Sequence, residues 1–153
     1  MTTRIDISQL QPAAYQPMFG LEGYLAETDL TVSIKELIKL KASMINKCAY
    51  CIQMHSEQAR KNGETEQRIY ALPAWQESPL FTAEERAALA LTEEVTHISA
   101  AGVSDATYQQ CIEVFGKQKV AQLIMQVVTI NAWNRLAIGF AVPHPETQEA
   151  NAA

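Results

Sequence analysis

Apolar residues recur every three or four positions over several stretches of the chain, which is the spacing of one face of an α-helix. After Ser33 this stripe is formed by Ile34, Leu37, Ile38, Ala42 and Ile45. Glu36 follows Ser33 at the spacing of a capping box, in which two side chains satisfy the first backbone amides of a helix. The pattern predicts a helix over about residues 33–45, with Asn46 as the left-handed residue that stops it.

A second helix is predicted over about residues 48–62, with Gly63 as its C-terminal cap. A short helix over about residues 65–72 precedes Pro73, which cannot continue it. The stretch PAWQESPLFT that follows holds two prolines and two large aromatic side chains. It is predicted to be a loop.

Another capping box, formed by Thr82 and Glu85, begins the second half of the chain. The apolar stripe of its helix is Ala88, Leu91, Val95 and Ile98, and the stripe of the helix after it, which Gly116 closes, is Tyr108, Cys111, Ile112 and Phe115. The last helix, over about residues 117–138, is apolar round most of its circumference. We therefore expect it to be central or to lie in the subunit interface of a homo-oligomer. The tail, residues 143–153, has little to bury and is predicted to be frayed.

Composition favours an all-α fold, a compact bundle of about six to seven helices. Aromatic residues make up 7% of the chain, only 6 Gly and 6 Pro interrupt it, and no alternating Val/Ile/Thr run bounded by turn residues appears. A chain of 153 residues can bury one sizeable core, and no stretch resembles a flexible linker. We expect a single domain over residues 1–153.

Charge and hydropathy argue against nucleic acid and membranes as partners. The net charge is −5 and no Lys/Arg cluster appears, so the chain lacks the basic surface that nucleic acid or an anionic membrane requires. Its most apolar window, VAQLIMQVVTI, is short and is interrupted by Gln122 and Gln126, and its first residues lack the apolar stretch of a signal peptide. We expect a cytoplasmic protein.

Two cysteines and a histidine share one face of the second predicted helix. At about 100° per residue, with Cys48 at zero, Cys51 lies at about 300° and His55 at about 340°. Cys51 and His55 are i,i+4 neighbours, so an imidazole can exchange a proton with a thiol directly or through one water. The unpaired amides and positive dipole end of a helix start favour a thiolate in the first turn. The arrangement is typical of a reactive thiol beside a base, and it requires no metal or cofactor.

Other interpretations of this face stay open at the level of residue pattern. Cys and His on an apolar helix face are often packing residues. Zinc could use Cys48, Cys51 and His55 as three ligands, although the chain offers no second C-x-x-C or H-x-x-x-H for closing such a site. A thioredoxin-like motif would follow a strand in an α/β fold, and no strand is predicted here.

With these residues in place, the sequence resembles the carboxymuconolactone decarboxylase-like superfamily, specifically its alkylhydroperoxidase D-like branch. The signature of that branch is a glutamate on one helix and C-x-x-C-x-x-x-H on the next, and it is matched by Glu36, by the CAYC of Cys48 to Cys51, and by His55. The resemblance continues through WQESPLFTAEERAALALTEEVT and INAWNRLAI and covers about residues 22–141.

The resemblance implies an all-α fold, homo-oligomers (trimers or hexamers) and reduction of a hydroperoxide substrate through a cysteine pair that forms a redox disulfide. Cys51 corresponds to the peroxide-attacking cysteine, Cys48 to the resolving one, and His55 with Glu36 to the proton relay. A dithiol partner, lipoyl-type or thioredoxin-like, would re-reduce the pair. The expected function is therefore that of a thiol-dependent peroxidase.

Two residues of this set have an alternative explanation. Tyr50 stands where alkylhydroperoxidase D has a histidine, and helix geometry turns it about 100° away from Cys51, so packing or an accessory role are both open to it. Glu36 could act only as a helix cap, because in one continuous helix it would lie about 22 Å from Cys51. A relay requires the chain to reverse near Asn46 or a second subunit to intervene.

The remaining chemical residues are weaker candidates. Cys111 lies on an apolar stripe and is expected to be an inert core thiol, while His97 and His144 stand alone. The polar and aromatic patch on the last helix, which resembles a family feature, is equally typical of interface packing or a buried hydrogen-bond network; it consists of Asn131, Trp133, Asn134 and Arg135. The rival functions are a non-redox oligomer, a zinc-binding protein, and lactone decarboxylation, a reaction that has no use for C-x-x-C.

Overall fold

The structure, a computed structural model that describes residues 4–144, is built of α-helices, and no strand occurs in that part of the chain. Its eight helices are α1 (Ile7–Leu10), α2 (Pro12–Ala26), α3 (Val32–Ile45), α4 (Ala49–Lys61), α5 (Glu66–Ala71), α6 (Ala83–Thr96), α7 (Ile98–Ala101) and α8 (Asp105–Gly139). A 3-10 turn, Leu72–Ala74, follows α5. The all-α prediction is confirmed, and the predicted frayed tail lies almost wholly outside the described residues.

Two predicted helix boundaries are confirmed. Thr82 and Glu85 form a complete capping box, since the Thr82 hydroxyl accepts from the Glu85 amide at 3.2 Å and the Glu85 carboxylate accepts from the Thr82 amide at 2.8 Å. Gly116 has φ 76° and ψ 163° and breaks α8 into segments 105–115 and 117–139. Glycine suits this left-handed backbone, because it has no Cβ to clash there.

The capping box predicted for Ser33 and Glu36 is wrong. The residue that caps α3 is Thr31, whose hydroxyl accepts from the amide of Ile34 at 3.3 Å. Thr31 is as good a cap as Ser33 by residue type and stands two positions earlier. Glu36 therefore lies beyond the first turn of α3, and its side chain is available for another role.

The predicted stop at Asn46 is displaced by one residue. Asn46 is right-handed, and the left-handed residue is Lys47, with φ 58°. The Lys47 amide donates to Met44 O at 3.2 Å and the Cys48 amide to Ser43 O at 3.0 Å, which is the Schellman pattern of a helix end. This tight reversal folds α4 back along α3.

Helix α3 lies at the centre of the molecule and packs against α4, α6 and α8. One apolar cluster fills the space between α3, α6 and α8: Leu30, Ile34, Ile38, Ala42, Ala87, Ala88, Leu91, Cys111, Val120, Leu123, Val127 and Ile130. A second cluster joins the other side of α3 to α4, α5 and the 3-10 turn: Leu37, Leu40, Ala59, Ile69, Leu72, Trp75, Phe81 and Leu89. Burial on two sides holds α3 in a fixed orientation, and with it the polar residues it carries.

Helices α1 and α2 were not predicted. In α2 the apolar residues form no strong stripe, and Pro17 lies inside the helix. The helix is held instead by aromatic contacts, because Tyr15 and Phe19 meet Trp133 of α8 edge to face with ring centroids 5.4 and 5.6 Å apart. The Trp133 indole N–H also donates to Glu22 at 2.8 Å. Within residues 4–144, the helices all fall short of the length and apolar character that crossing a bilayer requires.

Candidate functional site

The start of α4 carries the two cysteines. Cys48 is the N-cap residue and Cys51 lies in the first turn, and the structure joins them by a disulfide with their Cα atoms 5.3 Å apart. The Cys51 amide donates to the Cys48 sulfur at 3.3 Å, so that sulfur takes the place of the oxygen of a usual N-cap. Each residue is 2% exposed. The helix start thus brings its unpaired amides to the sulfur pair, as the sequence predicts.

A buried amide network fixes the reversal that presents this pair. The Asn46 side-chain amide donates to Asn131 and to Asn134 of α8, each at 2.9 Å. The Asn134 amide in turn donates to the Ser43 hydroxyl at 3.0 Å. Of the two explanations for the polar patch on the last helix, the buried hydrogen-bond network is the one observed for Asn131 and Asn134. It ties the residues just before Cys48 to α8.

His55 lies one turn after Cys51 on the same face of α4, and its side chain is 12% exposed. Burial, and after it the positive charge of Lys39, lower the pKa of His55 to about 4. The imidazole is therefore neutral near pH 7. A neutral imidazole can accept a proton from a neighbouring thiol.

Glu36 reaches the same place from α3. One of its carboxyl oxygens lies 3.9 Å from Nδ1 of His55 and makes no hydrogen bond, while the other accepts from Lys39 at 3.3 Å. The residue is 6% exposed. A buried carboxyl oxygen without a hydrogen-bond partner lowers the stability of the fold. Its presence therefore calls for a functional explanation. The chain reversal that a relay requires is present within one subunit, and Glu36 and His55 face each other across it.

Two separate cavities reach the disulfide, one at each sulfur-bearing residue. The Cys51 cavity, about 410 Å³, is bounded by α2, α4 and α8 and lined by Tyr15, Phe19, Glu22, Tyr50, Cys51, Met54, His55 and Trp133. The Cys48 groove, about 610 Å³, lies at the other side and includes Arg4, Lys47, Cys48, Tyr50, Ile138 and His144 in its lining. Tyr50 contributes to both and stands between them.

Three residues of the Cys51 cavity were missed by the sequence analysis, because they belong to the unpredicted helix α2. Tyr15 and Phe19 are i,i+4 neighbours, and Glu22 is one turn further along. That spacing, together with an isolated Trp133 on an apolar helix, is the signal that could have identified them. They give the cavity an aromatic wall with one carboxyl group.

The other residues singled out from the sequence lie outside the site or at its edge. Cys111 is fully buried, its thiol donates to Ala87 O at 3.3 Å, and burial with the nearby Glu94 raises its pKa to about 11. His97 is exposed where α6 ends, and His144 lines the Cys48 groove. In the described range, His, Cys, Asp and Glu side chains form no group of three or more able to hold a metal ion.

Comparison with known proteins gives a consistent family. Residues 12–94 match the sequence profile of the carboxymuconolactone decarboxylase family. The chain is 38% identical over 138 residues to the uncharacterized protein YdfG of Bacillus subtilis, covering 90% of this chain and 94% of that one.

Two solved structures extend the comparison. A protein of unknown function from Agrobacterium tumefaciens, whose name suggests the antioxidant defence protein AhpD, superposes with a TM-score of 0.92 at 36% identity, over 95% of this chain and all of that one. An uncharacterized peroxidase-related protein from Ralstonia eutropha, described as an alkylhydroperoxidase AhpD core, has the same fold, with a TM-score of 0.76 at 18% identity over 93% of this chain and 75% of that one.

Proposed function

The chain belongs to the carboxymuconolactone decarboxylase family, and on that premise we propose that it is a thiol-dependent hydroperoxide reductase of the alkylhydroperoxidase D type. One observation carries the proposal. The Cys48–Cys51 pair is within disulfide reach at a helix start, with His55 one turn further on and Glu36 behind it. Such a set provides a nucleophile, a resolving thiol and a proton acceptor.

In the proposed reaction the Cys51 thiolate attacks one oxygen of the hydroperoxide ROOH, and the O–O bond breaks. The leaving RO⁻ takes up a proton and becomes ROH, while Cys51 is left as a sulfenic acid. Cys48 then attacks the Cys51 sulfur, and the disulfide forms with release of water. In sum, two thiols and ROOH give a disulfide, ROH and H₂O.

Cys51 is assigned as the attacking residue because of its neighbours. It has His55 at i+4, and it lines the aromatic cavity, where the body of an organic hydroperoxide can be held by Trp133 and Phe19. Cys48 lines the other groove and has no histidine at i+4. This division leaves Cys48 as the resolving cysteine.

Proton transfer is assigned to His55 with Glu36 as its support. The neutral imidazole accepts the proton of the Cys51 thiol and can return it to the departing alkoxide. The unpaired oxygen of Glu36, 3.9 Å from His55, can stabilise the imidazolium that forms between these two steps. Tyr50 is given only an accessory role, as the wall between the two cavities.

Two partners complete the proposal. A dithiol reductant, of the lipoyl or thioredoxin type, reopens the disulfide for the next cycle. The protein assembles as a homo-oligomer, a trimer or hexamer as in the family it resembles. In support, helix α8 leaves apolar side chains such as Val128 and Val114 nearly half exposed, at 44% and 43%.

The decisive experiment is thiol counting with intact-mass measurement on the reduced protein, before and after one equivalent of an organic hydroperoxide. We expect two thiols to disappear with a mass loss of about 2 Da, and peptide mapping to place the disulfide at Cys48–Cys51 with Cys111 still reduced. The variant Cys111→Ala is the matched control and should behave identically. Retention of all three thiols, or a bound zinc ion in the native mass, would refute the proposal.

A further inference from the structure

The two sulfur-bearing residues of the disulfide are reached from different sides, and the two sides differ in charge. Glu22 is the charged side chain among the lining of the Cys51 cavity, beside the neutral His55. Arg4, Lys47 and His144 line the Cys48 groove, and no Asp or Glu belongs to its lining within residues 4–144. In a chain of net charge −5, a cationic groove at one of the two redox residues is unexpected by composition.

Both cations of the groove are held in position by the backbone. Lys47 is the left-handed residue of the reversal and directly precedes Cys48. Arg4 is tied to the end of α8, since its backbone amide donates to Phe140 O at 3.3 Å and its guanidinium to Gly139 O at 2.8 Å. Asp6, two residues after Arg4, lines the adjoining cavity, and its carboxylate accepts from the Ser8 amide at 2.9 Å. The backbone positions of Lys47 and Arg4 are therefore set by the fold.

We infer that the reductant of this protein is a small dithiol that carries a carboxylate, and that it attacks Cys48 from the groove beside Lys47 and Arg4. The inference rests on the proposed function and names the partner of its second half-reaction. The cavity volume of about 610 Å³ is in the range of sites for small molecules. Its charge is complementary to a carboxylate and unfavourable to a cationic thiol.

The reaction is a pair of thiol–disulfide exchanges. One thiolate of the dithiol attacks the Cys48 sulfur, the Cys48–Cys51 bond breaks, and Cys51 leaves as a thiolate that takes up the proton given by the attacking thiol. The second thiol of the same molecule then attacks the first, and Cys48 leaves and receives the second proton. The protein gains two electrons and two protons, and the dithiol becomes a cyclic disulfide.

The test compares dihydrolipoate with dihydrolipoamide, two dithiols that share their sulfur chemistry and differ by one carboxylate. The rate of reduction of the oxidised full-length protein is measured for each at an ionic strength of about 0.05 M. Each rate is divided by the rate with the same dithiol on a neutral model disulfide. We expect this normalised rate to be about threefold to tenfold higher for dihydrolipoate, as two charges near the reacting sulfur would give. Added salt should shrink the ratio towards one.

Charge variants locate the effect. Lys47→Gln and Arg4→Gln should each lower the ratio, and Lys47→Glu should bring it to one or below. Lys61→Gln is the matched control, because Lys61 stands in the last turn of α4, about 20 Å from Cys48 along the helix, and it should leave the ratio unchanged. Circular dichroism should be used to check that each variant is folded.

The result that overturns the inference is a normalised ratio near one in the wild type, or a ratio that Lys47→Gln and Lys61→Gln change equally. The measurement needs no peroxide, so it is independent of the proposed peroxidase reaction. Failure of the reduced protein to form the disulfide with hydroperoxide would count against the proposed function, whatever the dithiol ratio shows.

Discussion

The start of α4 and the middle of the first α8 segment each hold a buried cysteine, in surroundings that differ in almost every other respect. The exposed fraction of Cys51 is 2% and that of Cys111 is 0%, so exposure hardly distinguishes them. Cys51 has a helix start, a neutral imidazole and a cavity beside it. Cys111 lies inside a helix and packs among aliphatic side chains, with the Glu94 carboxylate near. In the proposed function, the electrostatic surroundings and the access to a cavity are what make Cys51 the reactive thiol and Cys111 the inert one.

The largest expected effect comes from exchanging the cysteines one at a time. Cys51→Ser should abolish the first peroxide turnover, and Cys48→Ser should consume about one equivalent and then stall as a sulfenic acid that a trapping reagent can label. Cys111→Ser should turn over as the wild type does. Single-turnover peroxide consumption with a sulfenic-acid trap measures all three.

The assignment of the two cysteines of α4 is the part of this prediction most open to reversal. Sulfenate on Cys48 in the Cys51→Ser variant, with none on Cys51 in the Cys48→Ser variant, would exchange their roles. Peroxide reactivity at Cys111 in either variant would remove the contrast between the two regions altogether.

The next largest effect is expected from removing His55, the base beside Cys51 that has no counterpart beside Cys111. His55→Ala should slow attack by Cys51 about a hundredfold near neutral pH, which is the low end for removal of a positioned general base. The rate should recover partly at high pH, because the thiol then ionises unaided. A stopped-flow pH profile of the first turnover measures both effects, and a profile that keeps its shape and only drops would exclude a role for His55 in proton transfer.

The pKa of His55 also makes a prediction for stability against pH. Its folded-state pKa of about 4 is below the unfolded value of about 6.5, so the unfolded chain binds the extra proton first. The contribution of His55 to the free energy of unfolding is fully present above pH 6.5 and is lost as pH falls through 4. At pH 4.5 the loss is about 2.5 kcal/mol. Urea unfolding of the oxidised protein at pH 7.5 and 4.5 should show this loss in the wild type and lack it in His55→Gln. An equal acid sensitivity in both would show that other groups cause it.

The smallest expected effect is at Cys111 itself. Cys111→Ala removes one fully buried sulfur from the core between α6 and α8, and should lower the free energy of unfolding by about 1–2 kcal/mol. Peroxide turnover should be unchanged, which is the opposite of the effect at Cys51. Denaturant midpoints and turnover rates are measured on the same samples. A loss of activity in Cys111→Ala greater than its loss of stability explains would show that Cys111 has a role beyond packing.

Much of the fold could be predicted from the sequence, because several helix ends are set by local chemistry. Thr82 and Glu85 form a closed capping box, and Gly116 adopts a backbone angle that its lack of a side chain permits. The errors have the same origin. Ser33 and Asn46 are good capping residues by type, but Thr31 and Lys47 take those positions, since packing of α3 on both sides decides where the helix begins and ends.

The placement of the two cysteines and His55 on one face of α4 could be predicted, but the surroundings of these residues could not. The i,i+4 spacing of Cys51 and His55 fixes their common face. The distance from Glu36 to His55, in contrast, depends on the chain reversal at Lys47. From the sequence one can say only that a relay requires such a reversal, not that it is present. Tyr15 and Phe19 belong to a helix held by contacts with Trp133 rather than by its own stripe, and such contacts leave little trace in local periodicity.

Cys48 takes part in both the end of α3 and the start of α4, and this limits the scaffolds onto which the site could be grafted. Its backbone amide closes the Schellman motif of α3, and its sulfur caps α4, so the loop between Glu36 and His55 has no spare residue. A one-residue insertion at Asn46 would put another residue in the position whose amide closes the Schellman motif, so Cys48 would keep only the cap of α4, and the carboxyl–imidazole distance would change. A designer who grafts residues 48–55 onto another helix would thus obtain the thiols and the imidazole without the buried acid. The transferable unit is the whole helical hairpin, from Thr31 to Lys61.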